Sequence, residues 1–237
     1  SGTLPNGKPV VVNADGTVSV VAETTITKAY GSVVTFTTSN TNYQRVAYDS
    51  SNNKIVIAYD DDSDNTGKAV VGTVDASNNS ISFGTPVTFN NGATQWIDIE
   101  FDSNANKIVI GYGDPGNSNY GAAIVGTVSG TSISFGSETV FESSYVQGIF
   151  MVFDTTANKI IIAYQDAINN RGRALVATVS GTSISFGSTV TFESSNPNTN
   201  WHTVYDANAD KTVIAYVVSG VGKAIVGTVS GTSISFG

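Results

Sequence analysis

One ten-residue segment, TVSGTSISFG, occupies residues 127–136 and recurs unchanged at 178–187 and 228–237. A fixed internal period restricts a chain to architectures built from one supersecondary unit, each copy covering apolar surface that its neighbour cannot cover alone. With the segment as anchor, four units line up from Gly31 onward. Their closing aromatic residues, Phe83, Phe135, Phe186 and Phe236, are spaced 52, 51 and 50 apart. Each unit also has a lysine step at Lys54, Lys107, Lys159 or Lys211, followed by KIVIAY, KIVIGY, KIIIAY or KTVIAY. An aromatic–Asp pair precedes each step: Tyr48-Asp49, Phe101-Asp102, Phe153-Asp154 and Tyr205-Asp206.

Each unit reads as four strands. The first runs through YQRVAYD (43–49) or WIDIEFD (96–102), then turns through Asn-, Asp- and Ser-rich residues that cap their own backbone. KIVIAY and its equivalents form the second strand, and GKAVVGTV (67–74) and its cognates the third. Gly130, Gly181 and Gly231 then sit at the first central position of a type II′ turn, so TVSGTSIS is a hairpin. The first copy, TVDASNNSIS, is two residues longer and predicts a looser turn. In KIVIAY, Ile55, Ile57 and Tyr59 point one way and Val56 and Ala58 the other, so both faces are apolar and should be covered. In SISF, Ile81 and Phe83 share a face opposite two serines, as in a half-exposed outer strand.

A four-stranded antiparallel sheet sandwiched between copies of itself is a propeller blade, and a period near 50 suits that architecture. The expected fold is an all-β propeller of four blades, with units at about 31–83, 84–135, 136–186 and 187–237. An extended solenoid is the rival. Gly31–Phe36 matches the GTPVTF, GSETVF and GSTVTF segments that follow SISF elsewhere, and the final SISFG lacks that continuation. The C-terminal SISFG is therefore expected to meet GSVVTF and close the ring, removing exposed sheet edges. Residues 1–30 echo the back half of a unit, with Asp15-Gly16 as a hairpin turn. They form either a partial fifth blade or an attachment arm. With no initiator Met and no signal peptide, the chain reads as a processed piece of something longer.

A formal net charge of −8 with scattered cations argues against nucleic acid, whose phosphates need clustered Lys and Arg. There is no cysteine for a disulfide or thiolate metal site, and no apolar run long enough for membrane insertion. No cofactor is expected.

Candidate sites carry two readings each. Tyr59/Asp61, Tyr112/Asp114 and Tyr164/Asp166 place a ring beside a carboxylate at the end of the second strand, chemistry that suits sugar hydroxyls. The same pairs also fit a tyrosine packed on the next blade and an aspartate capping its loop, which is the preferred account. Trp96 and Trp201, near strand starts, are contact anchors or inter-blade filler. Asp60, Asp62 and Asp64 alternate as calcium ligands would, but Asn65 and Val71 stand where an EF-hand needs Gly and Glu, and the other units lack the acidic run. His202, the lone histidine, has cognates Asp98, Phe150 and Arg45 or Gln44, and reads as a packing or surface residue rather than a catalytic one. Paired carboxylates for glycoside hydrolysis remain open among nineteen acidic residues. Constancy within the unit is spent on strands and turns, so function is expected in the variable loops 60–67, 113–121, 165–172 and 217–222. A second set, 37–42, 90–95, 142–147 and 193–200, is expected on the other side of the blades.

FDSNANKIVIGYGDPGNSNYGAAIVGTVSGTSISFG (101–136) and its three cognates resemble the tandem repeats of tail-fibre and related structural proteins of marine bacteriophages and cyanophages. The resemblance covers about 31–237 and brings no catalytic motif. It implies a virion or extracellular surface component without enzymatic activity. Such a module presents loops for host recognition, binding a host-surface glycan or protein and neighbouring virion proteins. Alternatives are a purely architectural virion piece, or a lectin-like or glycan-hydrolysing propeller. A homo-oligomer is compatible with any of these.

Overall fold

The computed structural model describes residues 7, 9–21 and 31–237. A hairpin, β1 (Val10–Val12) and β2 (Val18–Val20), comes first, turning at Gly16 with φ +80°. All six of its strand residues are exposed. The echo of a unit expected across 1–30 falls partly outside the described residues.

Four antiparallel sheets follow. Blade 1 contains β3 (Thr41–Asp49), β4 (Lys54–Asp61), β5 (Thr66–Asp75), β6 (Ser80–Phe83) and β7 (Val87–Asn90). Blade 2 contains β8 (Gln95–Asp102), β9 (Lys107–Asp114), β10 (Tyr120–Ser129), β11 (Ser132–Phe135) and β12 (Thr139–Glu142). Blade 3 contains β13 (Val146–Asp154), β14 (Lys159–Asp166), β15 (Arg171–Ser180), β16 (Ser183–Phe186) and β17 (Val190–Glu193). Blade 4 contains β18 (His202–Asp206), β19 (Lys211–Val218), β20 (Val221–Ser230) and β21 (Ser233–Phe236). Each sheet runs in sequence order from its first strand outward. The architecture is the expected β-propeller of four-stranded repeats. Its sheets nevertheless outrun the sequence units. β7, β12 and β17 pair with the same third strand as the SISF segment before them, so each fourth strand is one interrupted ribbon.

Turn chemistry explains the meander. Asp49, Asp102, Asp154 and Asp206 each accept the backbone N–H groups two and three residues on, at 2.8–3.0 Å. Asn53, Asn106, Asn158 and Asp210 then take the left-handed φ those turns need. Gly130, Gly181 and Gly231 have φ of +61° to +62°, and Ser129 pairs directly with Ser132 across the turn. In blade 1, Asp75 pairs with Ser80, so the longer first copy does form the looser turn.

Each blade presents two apolar flanks. The leading flank of blade 1 (Val56, Ala58, Ala69, Val71) packs on the trailing flank of blade 2 (Ile99, Ile108, Ile110, Tyr112), and all are buried. Val109, Ala123 and Val125 of blade 2 meet Ile160, Ile162, Tyr164 and Leu175 of blade 3. Ile161, Ala163, Ala174 and Val176 meet Ile214 and Tyr216 of blade 4. Burying one such aliphatic side chain stabilises by about 1.5–3 kcal/mol, so these seams hold the blades together.

The connector between blades is fixed by close approach. A Cβ on Gly84, Gly136 or Gly187 would lie 1.9, 2.0 or 1.7 Å from the carbonyl oxygen of Thr131, Thr182 or Thr232, in the hairpin turn of the following blade. Only glycine passes there. The next aromatic residue then closes over the blade: Phe89 stacks on Tyr112 and Phe135, Phe141 on Tyr164 and Phe186, and Phe192 on Tyr216 and Phe236.

The expected closure of the ring does not form. Gly31 crosses Asn79, and Phe36 stacks on Tyr59 and Phe83, so Gly31–Phe36 is seated on blade 1 as a connector should be. At the other end the Gly237 N–H bonds the Val226 carbonyl within blade 4 at 3.2 Å, a Cβ on Gly237 would meet nothing within 4 Å, and blade 4 is a four-stranded sheet without the continuation that β7, β12 and β17 supply.

Candidate functional site

The Tyr-x-Asp pairs belong to the frame. Tyr59, Tyr112 and Tyr164 are fully buried on trailing flanks, as the preferred packing account has it and not as exposed sugar-binding platforms. Tyr112 donates to Glu138 at 2.5 Å and Tyr164 to Glu142 at 2.8 Å. Asp61 receives the Ser63 N–H, Asp114 the Gly116 N–H and Asp166 the Asn169 N–H, each at 2.9–3.1 Å, so all three cap their loops. Burial opposes ionisation of Asp61, but hydrogen bonds from Lys68 and Ser63 outweigh it and hold the carboxyl at about 2.

Trp201 is buried and donates its indole N–H to the Gly148 carbonyl at 2.6 Å. Trp96 is half-buried against Tyr43, with ring centroids 5.5 Å apart. Both Trp96 and Tyr43 sit at bulges of first strands with φ of +54° and +53°, a conformation bulky residues rarely hold.

The acidic run diverges. Asp60 accepts the Thr94 N–H and its pKa is raised by burial; Asp62 accepts from Asn42, and Asp64 pairs with Lys68 at 2.6 Å. Among the described residues no three metal-ligating side chains gather. The two loop sets also share one end of the blades, rather than lying on opposite sides, because antiparallel pairing puts Thr41 opposite Asp61 and Asp61 opposite Thr66.

The axis holds a different cluster. β3 packs beside β8, β8 beside β13, and β13 beside β18, and all four first strands line one pocket of about 500 Å³. Register places Arg45 opposite Ala58, Asp98 opposite Gly111, Phe150 opposite Ala163 and His202 opposite Ala215, so these four residues are structural cognates. They converge. Arg45 Nε lies 3.6 Å from Asp98 Oδ1, and the guanidinium stands 5.9 Å over the Phe150 ring. The other neighbour of Phe150 is the His202 imidazole, 5.2 Å away. The fourfold scaffold thus delivers one cation, one carboxylate, one hydrocarbon ring and one imidazole to a single place.

Glu100, two residues along β8, adds a second carboxyl on the same side of the strand. Asp98 accepts the Met151 N–H at 2.6 Å and Glu100 the Phe153 N–H at 3.3 Å, which ties β8 to β13. Burial pushes Asp98 up to about 6, against its backbone hydrogen bonds and the charges of Arg45 and His202. Burial and the neighbouring Asp98 push Glu100 up to about 7. Two carboxyls poised near neutrality in a concave pocket can exchange protons with a bound molecule as well as accept its hydroxyls.

In the sequence, His202 aligns with Asp98, Phe150 and either Arg45 or Gln44, and the lack of a recurring histidine there reads as evidence against a site. The signal was that variation. One position of a conserved strand takes four chemically distinct residues. Glu100 carried no sequence signal of its own.

The fold and this pocket define a β-propeller with a polar axial site. No family model matches the chain, and no curated protein does. Among solved structures it is similar to a GH43 glycoside hydrolase engineered to display both endo-xylanase and exo-arabinofuranosidase activity, a five-bladed β-propeller. The TM-score is 0.54 at 9% identity, over 84% of this chain and 40% of that one. The likeness is one of fold. It overturns the expectation of a non-enzyme to this extent: the propeller on which that expectation rested is one that an enzyme uses.

Proposed function

We propose that this chain engages a carbohydrate in its axial pocket, on a virion or other extracellular surface where the ligand is a host glycan. The observation that carries the reading is the meeting of Arg45, Asp98 and His202 in the axial pocket, with the Phe150 ring set against the guanidinium and the imidazole, four chemically distinct residues in one column of the repeat. A guanidinium and two carboxyls offer directed hydrogen bonds to hydroxyls, and Val46, Met151 and Val204 line the pocket with apolar surface. The pocket volume falls within the range of small-ligand sites. The likeness to a glycoside hydrolase propeller supports the ligand class, and the resemblance of the repeats to those of phage structural proteins supports the surface setting.

A second reading, cleavage of that glycan, is favoured by Glu100. A carboxyl at about 7 holds a proton near neutral pH and can deliver it to a leaving oxygen, while Asp98, at about 6, ionises first.

Saccharide binding by glycan array and calorimetry, with a reducing-end assay run alongside, tests both readings. Arg45→Ala should weaken binding at least tenfold. Glu100→Gln should retain binding and abolish turnover if the second reading holds. Absence of saccharide binding, or affinity unchanged in Arg45→Ala, would overturn the proposal.

A further inference from the structure

Among the described residues, no blade packs on the leading flank of blade 4 or on the trailing flank of blade 1, as one does on every internal flank. On the leading flank of blade 4, Val226 is 46% exposed, whereas its cognates Val71, Val125 and Val176 are 0% exposed. Ala215 and Ala224 beside it are exposed as well. On the trailing flank of blade 1 the end away from the loops is open: Tyr48 is 53% exposed against 9% for Phe101 and 6% for Phe153, and Val74 is 53% exposed against 7% for Val128, while Tyr59 and Val70, nearer the loops, are buried.

The backbone repeats the pattern. The third strands of blades 1 to 3 pair their first residues with β7, β12 and β17. In blade 4 the corresponding edge at Val221–Lys223 has no such partner among the described strands. Blade 1, conversely, carries a connector, Gly31–Phe36, seated on its surface and, among the described strands, paired with no preceding blade. One end therefore offers a leading flank and a free edge. The other offers a trailing flank and the connector that fits such an edge.

We propose that a second copy of this chain occupies the open seam, its blade 1 packing head to tail on blade 4 of the first. Continuity with the three internal seams carries the assignment, since the same faces meet there in the same order. Within one chain, three packed seams fix the blades in an arrangement that leaves the ends apart. Between chains nothing holds the complementary flanks away from each other. The contact is heterologous, each copy using a different face, so it propagates until a ring closes or continues as a filament. It is independent of what the axial pocket binds.

Val226→Glu on the leading flank and Val74→Glu on the trailing flank test it, because both positions are exposed in the single chain and the blades should fold unaltered by far-UV circular dichroism. Analytical ultracentrifugation of the unsubstituted chain should show mass rising with concentration. Each variant alone should associate at least tenfold more weakly. An equimolar mixture should form a species of two chains and no larger, because each variant retains the flank the other has lost. A chain that stays monomeric at all concentrations, as one closing on itself would, overturns the proposal. So does association that survives both substitutions, or a mixture that fails to pair.

Discussion

The Phe141 ring stands 5.2 Å from that of Tyr164, at 60°, and joins the outer ribbon of blade 2 to the second strand of blade 3. Phe186 completes the edge-on cluster at 5.8 Å from Phe141. The neighbouring residue, Glu142, accepts hydrogen bonds from the Tyr164 hydroxyl and from Arg173, both at 2.8 Å. One chain crossing thus carries apolar packing and a charged clasp on adjacent residues. Phe141→Ala removes the ring that covers Tyr164 and should cost about 3 kcal/mol, as expected for emptying an aromatic site. Urea unfolding should show the lower midpoint with an unchanged slope.

The connector glycine makes a sharper case. A methyl on Gly136 would fall 2.0 Å from the Thr182 carbonyl oxygen, a backbone atom that cannot rotate aside. Gly136→Ala should therefore lower stability by at least about 1–3 kcal/mol through overpacking. Gly222 has open space around its Cβ direction and a φ outside the left-handed region. Gly222→Ala should be neutral, or raise stability by a few tenths of a kcal/mol through the unfolded state. Parallel thermal melts of the two variants check the contrast.

The frame was legible in the sequence because repetition displays its own constraints. Turn glycines, capping aspartates and the two-faced KIVIAY strand each recur where the same backbone need recurs. The closing of the ring was misread because Gly31–Phe36 looks like the missing partner of SISFG, whereas Phe36 finds its partners, Tyr59 and Phe83, inside its own blade. The site was hidden for the opposite reason. Tyr59, Tyr112 and Tyr164 recur because the seams need them, so recurrence pointed at packing. Arg45, Asp98, Phe150 and His202 share no residue type, and only the strand register and the common axis bring them together.

Capping aspartates should matter in proportion to their burial. Asp154 is buried and accepts the Thr156 and Ala157 N–H groups at 2.9 and 2.8 Å, whereas Asp206, with equivalent bonds, is exposed. Asp154→Ala leaves two backbone donors without their charged acceptor at a site water reaches poorly, a loss of about 1.5–3 kcal/mol. Asp206→Ala lets water substitute and should cost roughly half as much or less. Equal costs in denaturant unfolding would show that burial does not govern these turns.

The axial carboxyls should write themselves into the pH dependence of stability. Asp98 and Glu100 ionise at about 6 and about 7 in the fold, above the ordinary range of about 4 that the unfolded chain adopts. Between roughly pH 4 and 7 the folded chain consequently binds more protons than the unfolded one, and stability falls as pH rises through that window. Asp61, held at about 2, acts in the opposite sense, and its contribution is lost as pH drops from about 4 toward 2. Stability should therefore peak in mildly acidic solution and decline toward neutrality. Glu100→Gln removes a charge that Asp98 and burial both oppose, while keeping a side-chain oxygen to receive the Phe153 N–H. Its melting temperature should stay flatter from pH 5 to 8 than that of the unsubstituted chain, with the acid limb below pH 4 unchanged. If the two profiles coincide above pH 5, the Glu100 carboxyl does not hold its proton in the axial pocket.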